Sequence, residues 1–307
     1  MKLTESEFIW SDGQLVPWHE ARVHVLTHAM HYGTSVFEGV RAYSTPRGPA
    51  ILGLGAHVKR LFDSCKIVQI PLPFTREQVE QGILETVRAN GHDACYIRPL
   101  AFRGYGELGV SPHGCPVNLI VATFPWGALH GDGVENGVDV GVSSWRRMAP
   151  DTHPAMAKTG GNYVNSMLVV SEAQRHGYAE GIVLDVDGYV SEGSGENLFF
   201  VLDGELWTPP LSGSILPGIT RGYVITLAKE RGLTVREERV SREMMYIADE
   251  MFMTGTAAEI TPVNHVDAHP VGAGQPGEVT RALQSDFFGI VRGEAEDWHG
   301  WLTAVRD

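Results

Sequence analysis

At three places in the chain an Asp-Gly dipeptide separates two short runs of mainly apolar residues. These dipeptides stand at 12–13, 187–188 and 203–204, and the first is preceded by Phe-Ile-Trp and followed by Gln-Leu-Val. Asp-Gly readily adopts the positive backbone angles of the tight turn that joins two antiparallel strands. The sequence therefore predicts three β-hairpins, one near the start and two in the second half.

Helical patterns alternate with these hairpins. Apolar residues recur at helical spacing over 55–68, and a second helix fits 76–90 before Gly91. Two more helices are predicted at 162–176 and 220–231. Further elements are expected as strands at 96–102, 117–124, 234–240 and 250–254, and as a short helix from 241. Helices mixed with antiparallel hairpins predict an α+β fold.

A glycine-rich segment divides the chain. Residues 125–137 read Pro-Trp-Gly-Ala-Leu-His-Gly-Asp-Gly-Val-Glu-Asn-Gly, a composition typical of a connection. A length of 307 residues favours two domains around a shared cleft. We predict an N-terminal α+β domain over 1–124, an interdomain loop over 125–137 and a larger C-terminal domain over 138–307, with the active site in the cleft.

Composition argues against several classes of partner. The formal charge is −13, from 37 acidic and 24 basic residues, and no basic run could follow a nucleic-acid backbone. The start of the chain lacks the apolar core of a signal peptide, and no apolar run approaches the ~18 residues that cross a bilayer, so we expect a cytoplasmic protein. Cys65, Cys95 and Cys115 are expected to be reduced and buried, and no metal site is predicted.

Lysine is scarce, which narrows the search for a nucleophilic amine. The five lysines are Lys2, Lys59, Lys66, Lys158 and Lys229. Lys2 lies in a tail, and three others fall in amphipathic helices, where a solvated role is expected. Lys158 stands among small and apolar residues just before a helix, and desolvation favours the neutral amine that attacks an aldehyde. Taken alone, Lys158 could equally be a surface lysine.

A cofactor of the pyridoxal type needs an anion site for its phosphate. The helix start Leu-Pro-Gly-Ile-Thr at 216–220 and the turn Gly-Thr-Ala-Ala at 255–258 offer free backbone amides. A helix dipole supplies only ~0.3–1 kcal/mol, whereas micromolar retention requires about 8 kcal/mol. A fixed arginine and a covalent bond are therefore also required, and Arg60 is a candidate, although a single arginine is often a surface charge.

The pyridine nitrogen of such a cofactor needs a carboxylate, because a protonated ring is the electron sink of the chemistry. Glu192 is predicted at the end of a strand, within a loop of small residues that a flat ring can approach. Tyr163, five residues after Lys158, could hydrogen-bond the ring hydroxyl.

Together these segments resemble one enzyme family. The runs A-K-T-G-G-N-Y, G-Y-V-S-E-G-S-G-E-N-L-F, L-P-G-I-T-R and M-T-G-T-A-A-E-I-T-P-V, in this order and spacing, resemble the branched-chain aminotransferases of the fold-type IV pyridoxal-phosphate enzymes. The resemblance extends through H-A-M-H-Y-G-T-S-V-F-E-G-V-R-A-Y, Y-I-R-P-L and F-P-W-G-A to the C-terminal F-F-G-I-V-R-G, and so covers nearly the whole chain.

The resemblance implies a fold and a reaction. The C-terminal domain would have a β-barrel-like core and would bind pyridoxal 5′-phosphate. The enzyme would reversibly transfer the amino group of L-leucine, L-isoleucine or L-valine to 2-oxoglutarate, giving the 2-oxo acid and L-glutamate. The route would be ping-pong through a Schiff base on Lys158. A homodimer or a larger dimer-based assembly is expected.

It also implies individual roles. Lys158 would bond to the cofactor and then move the proton between substrate Cα and cofactor C4′. Glu192 would pair with the pyridine nitrogen, Tyr163 with the ring oxygen, and Leu216 would lie against the ring. The phosphate would be held by Arg60, Ile219, Thr220 and Thr256.

The substrate would contact a second set of residues. Its α-carboxylate would meet Tyr96 and the Thr256-Ala257 turn, and Arg98 would bind the distal carboxylate of glutamate. The side-chain pocket, partly built across a dimer interface, would be lined by Tyr32, Phe37, Val110 and Trp126.

Two departures and several alternatives remain open. Leu129 stands where the family usually carries a tyrosine, and the loop 104–109 differs from the family pattern, so substrate preference is the least secure expectation. A D-amino-acid aminotransferase or an aminodeoxychorismate lyase shares the lysine, the glutamate and the phosphate elements. A non-catalytic small-molecule binder on the same fold is the alternative from another class.

Overall fold

The structure, a computed structural model, describes residues 3–127 and 129–306. Its chain forms two compact units. The first contains the residues up to Trp126, Ala157–Gly161 and the segment from Ile290; the second contains Gly127–Met156 and Asn162–Gly289. The change after Trp126 falls inside the connection predicted at 125–137. Two later segments that the sequence interpretation placed in the C-terminal domain return to the first unit.

Strands of the first unit form one sheet. Within the described residues it has eight strands, in the order β17-β5-β4-β6-β7-β1-β2, with β3 paired to β6. The strands are β1 (Phe8–Ser11), β2 (Gln14–Pro17), β3 (Ser35–Phe37), β4 (Val40–Thr45), β5 (Gly48–Leu52), β6 (Cys95–Arg103), β7 (Val117–Phe124) and β17 (Leu302–Ala304). The last of them pairs antiparallel with β5, which explains why the end of the chain belongs to this unit.

Three helices accompany this sheet: α1 (His28–Tyr32), α2 (Leu54–Ile67) and α3 (Arg76–Ala89). A capping box starts α3, because Thr75 accepts from the Gln78 amide while the Gln78 side chain accepts from the Thr75 amide. Buried apolar residues of α2, α3 and the strands form a single core cluster. A Cβ at Gly82 would lie 2.8 Å from Trp10, so only glycine lets α3 pack this closely on β1.

The sheet of the second unit has nine strands among the described residues, in the order β10-β9-β8-β15-β14-β11-β12-β13, with β16 paired to β15. They are β8 (Val138–Arg146), β9 (Glu180–Leu184), β10 (Val190–Gly193), β11 (Asn197–Leu202), β12 (Glu205–Thr208), β13 (Val235–Glu237), β14 (Glu250–Gly255), β15 (Glu259–Val266) and β16 (His269–Pro270). The helices are α4 (Gly133–Asn136), α5 (Tyr163–Arg175), α6 (Ile219–Glu230), α7 (Met244–Ile247) and α8 (Glu278–Val291).

The long strand β15 organises this second sheet. Its first half pairs antiparallel with β14, and its second half pairs parallel with β8. The sheet curls into a half-barrel, as the β-barrel-like core implied by the resemblance led us to expect. Phe199 and Phe252 stack with their ring centroids 5.1 Å apart, and both are fully buried.

The predicted hairpins are confirmed. Asp12 and Asp203 have φ of 49° and 51°, and the glycine after each also has positive φ, as the tight turn requires. The hairpin of β9 and β10 has a longer turn, in which the Asp185 carboxylate accepts from the amides of Asp187 and Tyr189. The mixed α+β class is likewise confirmed.

All three cysteines are buried and free, as predicted. Burial raises the pKa of Cys65 and of Cys95 to about 12, so both stay protonated at neutral pH.

None of the described helices combines the length and apolar character required to span a bilayer.

Candidate active site

Lys158 is held in the first unit by hydrogen bonds on both sides of its backbone. Its amide donates to Ser64 Oγ of α2 at 3.0 Å, and its carbonyl accepts from the Phe37 amide at 3.0 Å. The next residue, Thr159, forms an isolated antiparallel bridge with Val36. A short loop segment therefore gains the rigidity of a strand beside β3, and the lysine side chain starts from a fixed backbone.

Two cationic side chains converge on the Phe37 ring. Lys158 Nζ lies 5.0 Å from the ring centroid, and Arg98 Cζ lies 4.8 Å from it. Arg98 also lies 5.3 Å from the Tyr96 ring centroid. Such contacts orient a cation on an aromatic surface without neutralising it. The arrangement joins positive charge to an apolar wall, which suits a ligand that has both a carboxylate and an aliphatic part.

Aromatic residues continue this wall. The Tyr96 ring packs edge-on against Trp126 at 4.5 Å and tilted against Phe124 at 5.6 Å, and Tyr96 is buried. Gly39 allows this position, since a Cβ there would lie only 1.8 Å from the Tyr96 hydroxyl oxygen. The predicted substrate residues Phe37, Tyr96, Arg98 and Trp126 are thus linked by successive contacts.

Arg60 belongs to a buried charged group that the sequence analysis did not identify. Its guanidinium donates to both carboxylate oxygens of Glu38, at 2.7 and 2.8 Å, and His57 Nδ1 lies 2.7 Å from one of the same oxygens. Burial would raise the pKa of Glu38, but Arg60 and the hydrogen bonds hold it well below its usual value. Glu38 therefore stays ionised and keeps Arg60 in one orientation. Glu38 stands in the Phe-Glu-Gly sequence after β3, and only its place inside the family-like run hinted at a role.

Glu192 is the centre of the corresponding group in the second unit. It lies in β10, buried, and forms an ion pair with the buried Arg147. Its Oε2 also accepts from the Leu216 amide at 2.9 Å and from Asn197 Nδ2 at 3.3 Å. Arg147 and Asn197 were missed by the sequence analysis, because nothing in the run Ser-Trp-Arg-Arg-Met marks one arginine as buried.

Asn197 connects Glu192 to the start of α6. Its Nδ2 donates to the Leu216 carbonyl at 3.0 Å. A Cβ at Gly218 would lie 1.9 Å from Asn197 Oδ1, so Gly218 must be glycine for this approach. Ile219 and Thr220 are the first residues of α6, where amides have no partner inside the helix. The predicted phosphate elements at 219–220 are therefore anchored to the same residue that holds Glu192.

The remaining candidates of the second unit lie in turns or at helix starts. Tyr163 is the first residue of α5, after buried Asn162. Thr256 and Ala257 are half-buried in the turn between β14 and β15, and the Ala257 carbonyl accepts from the Leu129 amide at 3.0 Å. The departure at Leu129 therefore directly contacts the turn expected to meet the substrate.

Two candidates stand apart. Val110 is 83% exposed and Tyr32 is 41% exposed, so in a single chain neither lines a closed pocket. The Tyr32 ring lies tilted against the His28 ring, and His28 Nε2 lies 2.9 Å from the Gly109 carbonyl oxygen. The expectation that they act across a dimer interface concerns a second copy and stays a prediction.

Comparison with known proteins gives consistent matches. The family model "Amino-transferase class IV" matches residues 35–266. The "Branched-chain-amino-acid aminotransferase" of Escherichia coli (strain K12) is 52% identical over 307 residues, covering 99% of each chain. A crystal structure of the Escherichia coli branched-chain amino acid aminotransferase matches with a TM-score of 0.96, covering 98% of this chain and 100% of that one. The branched-chain amino acid aminotransferase from Thermobaculum terrenum, solved in its PLP form, matches with a TM-score of 0.92 at 35% identity, covering 98% of this chain and 99% of that one.

Proposed function

This chain belongs to the class IV aminotransferases, and we propose that it transfers the amino group of L-leucine, L-isoleucine or L-valine to 2-oxoglutarate. Enzymes of this family use pyridoxal 5′-phosphate, and so does this chain. The observation that carries the proposal is the Phe37 ring with Lys158 and Arg98 on it, because it brings together the amine that would bond to the cofactor, an apolar surface for the branched side chain and one cation for the distal carboxylate of glutamate.

The residues present fit the cofactor. Thr159 Oγ1, next to Lys158, and Arg98 Nε are buried and have no hydrogen-bond partner among the described residues. Buried polar atoms are normally satisfied, so these two indicate a polar ligand. An anchored guanidinium at Arg60 suits a phosphate, and the ionised Glu192 suits a protonated ring nitrogen. Ile219, Thr220 and Thr256 complete the proposed phosphate site.

Bound pyridoxal phosphate supplies an aldehyde that condenses with amines and a ring that accepts electrons when the substrate Cα–H bond breaks. Lys158 would provide the amine, and its Nζ would move the proton between the substrate Cα and the cofactor C4′. Glu192 would keep the ring nitrogen protonated, because a buried carboxylate favours the cationic ring. Tyr163 would hydrogen-bond the ring oxygen, and Leu216 would pack against the ring.

One site would accept both substrates, because their carboxylates and their aliphatic parts would contact different residues. The α-carboxylate common to both would bind Tyr96 and the Thr256-Ala257 turn. The aliphatic side chain would pack on Phe37 and Trp126. The distal carboxylate of glutamate would turn to Arg98, so no charge is buried in the apolar part.

We further propose a cytoplasmic homodimer in which Tyr32 and Val110 of one copy complete the side-chain pocket of the other. Exposure of these two apolar side chains in the single chain supports this arrangement. The resemblance across the whole chain is its second support.

Glutamate formation tests the proposed reaction. Purified protein with pyridoxal phosphate, L-leucine and 2-oxoglutarate is expected to form glutamate, whereas D-leucine or D-alanine in place of L-leucine forms none. Turnover of the D-amino acids, or release of pyruvate from aminodeoxychorismate, would assign a different enzyme of the same fold. A protein that stays colourless with pyridoxal phosphate would support the non-catalytic binder.

Gly39→Ala is expected to weaken substrate binding. The new methyl group would occupy the place of the Tyr96 phenol, since the two atoms would be 1.8 Å apart. Displacing a hydroxyl that binds a carboxylate removes a charged hydrogen bond of about 1.5–3 kcal/mol, so the KM for L-leucine should rise about tenfold or more. Steady-state kinetics measure this, and the cofactor absorbance should be retained.

Gly222→Ala is the matched control. A Cβ at Gly222, within α6, meets no atom within 4 Å, so its KM is expected to stay that of the wild type. An unchanged KM in Gly39→Ala would remove Tyr96 from the carboxylate site.

A further inference from the structure

A cluster of three potential metal ligands lies in the second unit, and none of the three residues has a role in the proposed reaction. His130, Glu180 and Glu196 each offer one ligand atom, and these three atoms lie within 4.8 Å of one another. Glu180 follows His130 by 50 positions, and Glu196 follows Glu180 by 16. No local spacing therefore indicates the cluster, and no metal site was predicted from the sequence.

The two carboxylates of the cluster are shielded from solvent, and His130 is half-buried. Glu180 and Glu196 are 3% and 5% exposed, and the Glu180 carboxylate accepts hydrogen bonds from Ser194. Two carboxylates held together away from water repel each other unless a cation or a proton compensates them. A divalent cation between them would compensate both.

His130 supplies an independent indication. Its Nε2 is buried and has no hydrogen-bond partner among the described residues. A cation bound beside the two carboxylates would satisfy this imidazole nitrogen.

We propose that His130, Glu180 and Glu196 form a three-ligand site for a divalent transition metal ion of the zinc type. One nitrogen and two oxygens suit zinc better than magnesium or calcium, which prefer oxygen alone. Ligands at about 2.0–2.2 Å from zinc stand about 3.3–3.6 Å apart in a tetrahedron. Side-chain shifts on the order of 1 Å therefore close the site, and a water molecule fills the fourth position.

Existing hydrogen bonds already orient the two carboxylates. Glu180 Oε1 accepts from the Gly181 amide at 2.6 Å, and Glu196 Oε2 accepts from the Gly195 amide at 3.0 Å. Such contacts leave each carboxylate further lone pairs for the ion. Glu180 is the first residue of β9, and Glu196 immediately precedes β11, so both ligands lie at the ends of strands of the sheet.

The third ligand, His130, lies in the segment that follows the change of unit after Trp126. His130 follows Leu129, whose amide donates to the Ala257 carbonyl. A bound ion would tie residues 129–130 to the sheet and thereby fix the partner of the Ala257 turn. The site is a structural one, and its existence does not depend on the proposed reaction.

Metal content of the untagged holoenzyme tests the proposal. After chelator treatment, reloading with Zn²⁺ and gel filtration, mass spectrometry is expected to find one zinc ion per wild-type chain. His130→Leu and Glu180→Gln should each bind zinc at least about tenfold more weakly, since each removes one of three ligands. His176→Leu, at an exposed histidine, should bind as the wild type does.

Two further readouts keep the result unambiguous. Zinc should raise the melting temperature of the wild type but not of His130→Leu, because only a site in the folded state stabilises it. Co²⁺ in place of zinc should give a d–d absorption band that His130→Leu lacks. Substoichiometric zinc in the wild type, or wild-type affinity in His130→Leu, would overturn the proposal, and in that case the two carboxylates share a proton instead.

Discussion

Lys158→Ala is expected to abolish transamination and the absorbance change that an amino donor produces in the wild type. Without the Nζ atom the protein can neither bond covalently to the cofactor nor move the substrate proton. One general acid–base group alone contributes about 10²–10⁴-fold, so kcat for L-leucine should fall by about 10²-fold or more. Glutamate formation measures the rate, and the visible spectrum shows whether cofactor is still bound.

None of the other lysines that the structure describes can replace Lys158. Lys59, Lys66 and Lys229 are exposed on helices, as the sequence predicts. Lys59→Ala is a matched control, since its side chain is 62% exposed and pairs only with Asp63 across one helical turn. Its kcat should stay within about twofold of the wild type, because an exposed pair of this kind contributes about 0.3–0.5 kcal/mol to stability. Activity of Lys158→Ala within about tenfold of the wild type would contradict the assignment.

Local signals in the sequence account for what could be predicted of the fold. The Asp-Gly turns and the helical periodicities over 55–68 and 76–90 depend on neighbouring residues, and the structure places hairpins and helices there. The strand predicted at 234–240 forms only over Val235–Glu237, because the following residues leave the sheet. Where an element is specified by its own residues, sequence reasoning is sufficient.

Elements specified by distant partners were missed. The strand β8 contains Gly141 and several polar residues, and it becomes a strand because β9 and β15 pair on its two sides. The same holds for β17, which the β5 edge recruits from the end of the chain. The pairing of Val36 with Thr159 similarly brings the lysine segment back to the first unit. None of these pairings has a local signature.

The candidate site shows the same division. Lys158 and Glu192 could be proposed from the sequence because their chemical type and small-residue surroundings are local features. Their supporting residues were not, since a buried arginine and a surface arginine look alike in sequence. Arg147 is 6% exposed, whereas its neighbour Arg146 is exposed, and only the fold distinguishes them.

The ion pair with Arg147 affects the expected result of a substitution at Glu192. Glu192→Gln is expected to retain pyridoxal phosphate, through Lys158 and the phosphate residues, but to slow the proton transfer at the substrate Cα. A neutral amide does not keep the ring nitrogen protonated, so the ring becomes a poor electron acceptor. Loss of this electrostatic stabilisation is expected to lower kcat by about 10²–10³-fold.

The change also leaves the buried Arg147 guanidinium without its carboxylate. Breaking a buried ion pair from one side costs about 3–5 kcal/mol, so the variant should unfold at a lower temperature as well. Two measurements separate these effects. Single-turnover kinetics at about 20 °C report the proton transfer in folded protein, and a deuterium isotope effect with Cα-deuterated leucine shows whether that step limits the rate.

Two further variants are compared with Glu192→Gln. Glu205→Gln removes a surface carboxylate from Arg236 and should leave kcat unchanged. Arg147→Met keeps the Glu192 carboxylate but deprives it of its cation, and its kcat should fall less than that of Glu192→Gln because the ring still meets an acidic group. If Glu192→Gln instead shows a wild-type turnover number with bound cofactor, the ring nitrogen does not depend on this carboxylate, and the buried pair serves the fold of the half-barrel alone.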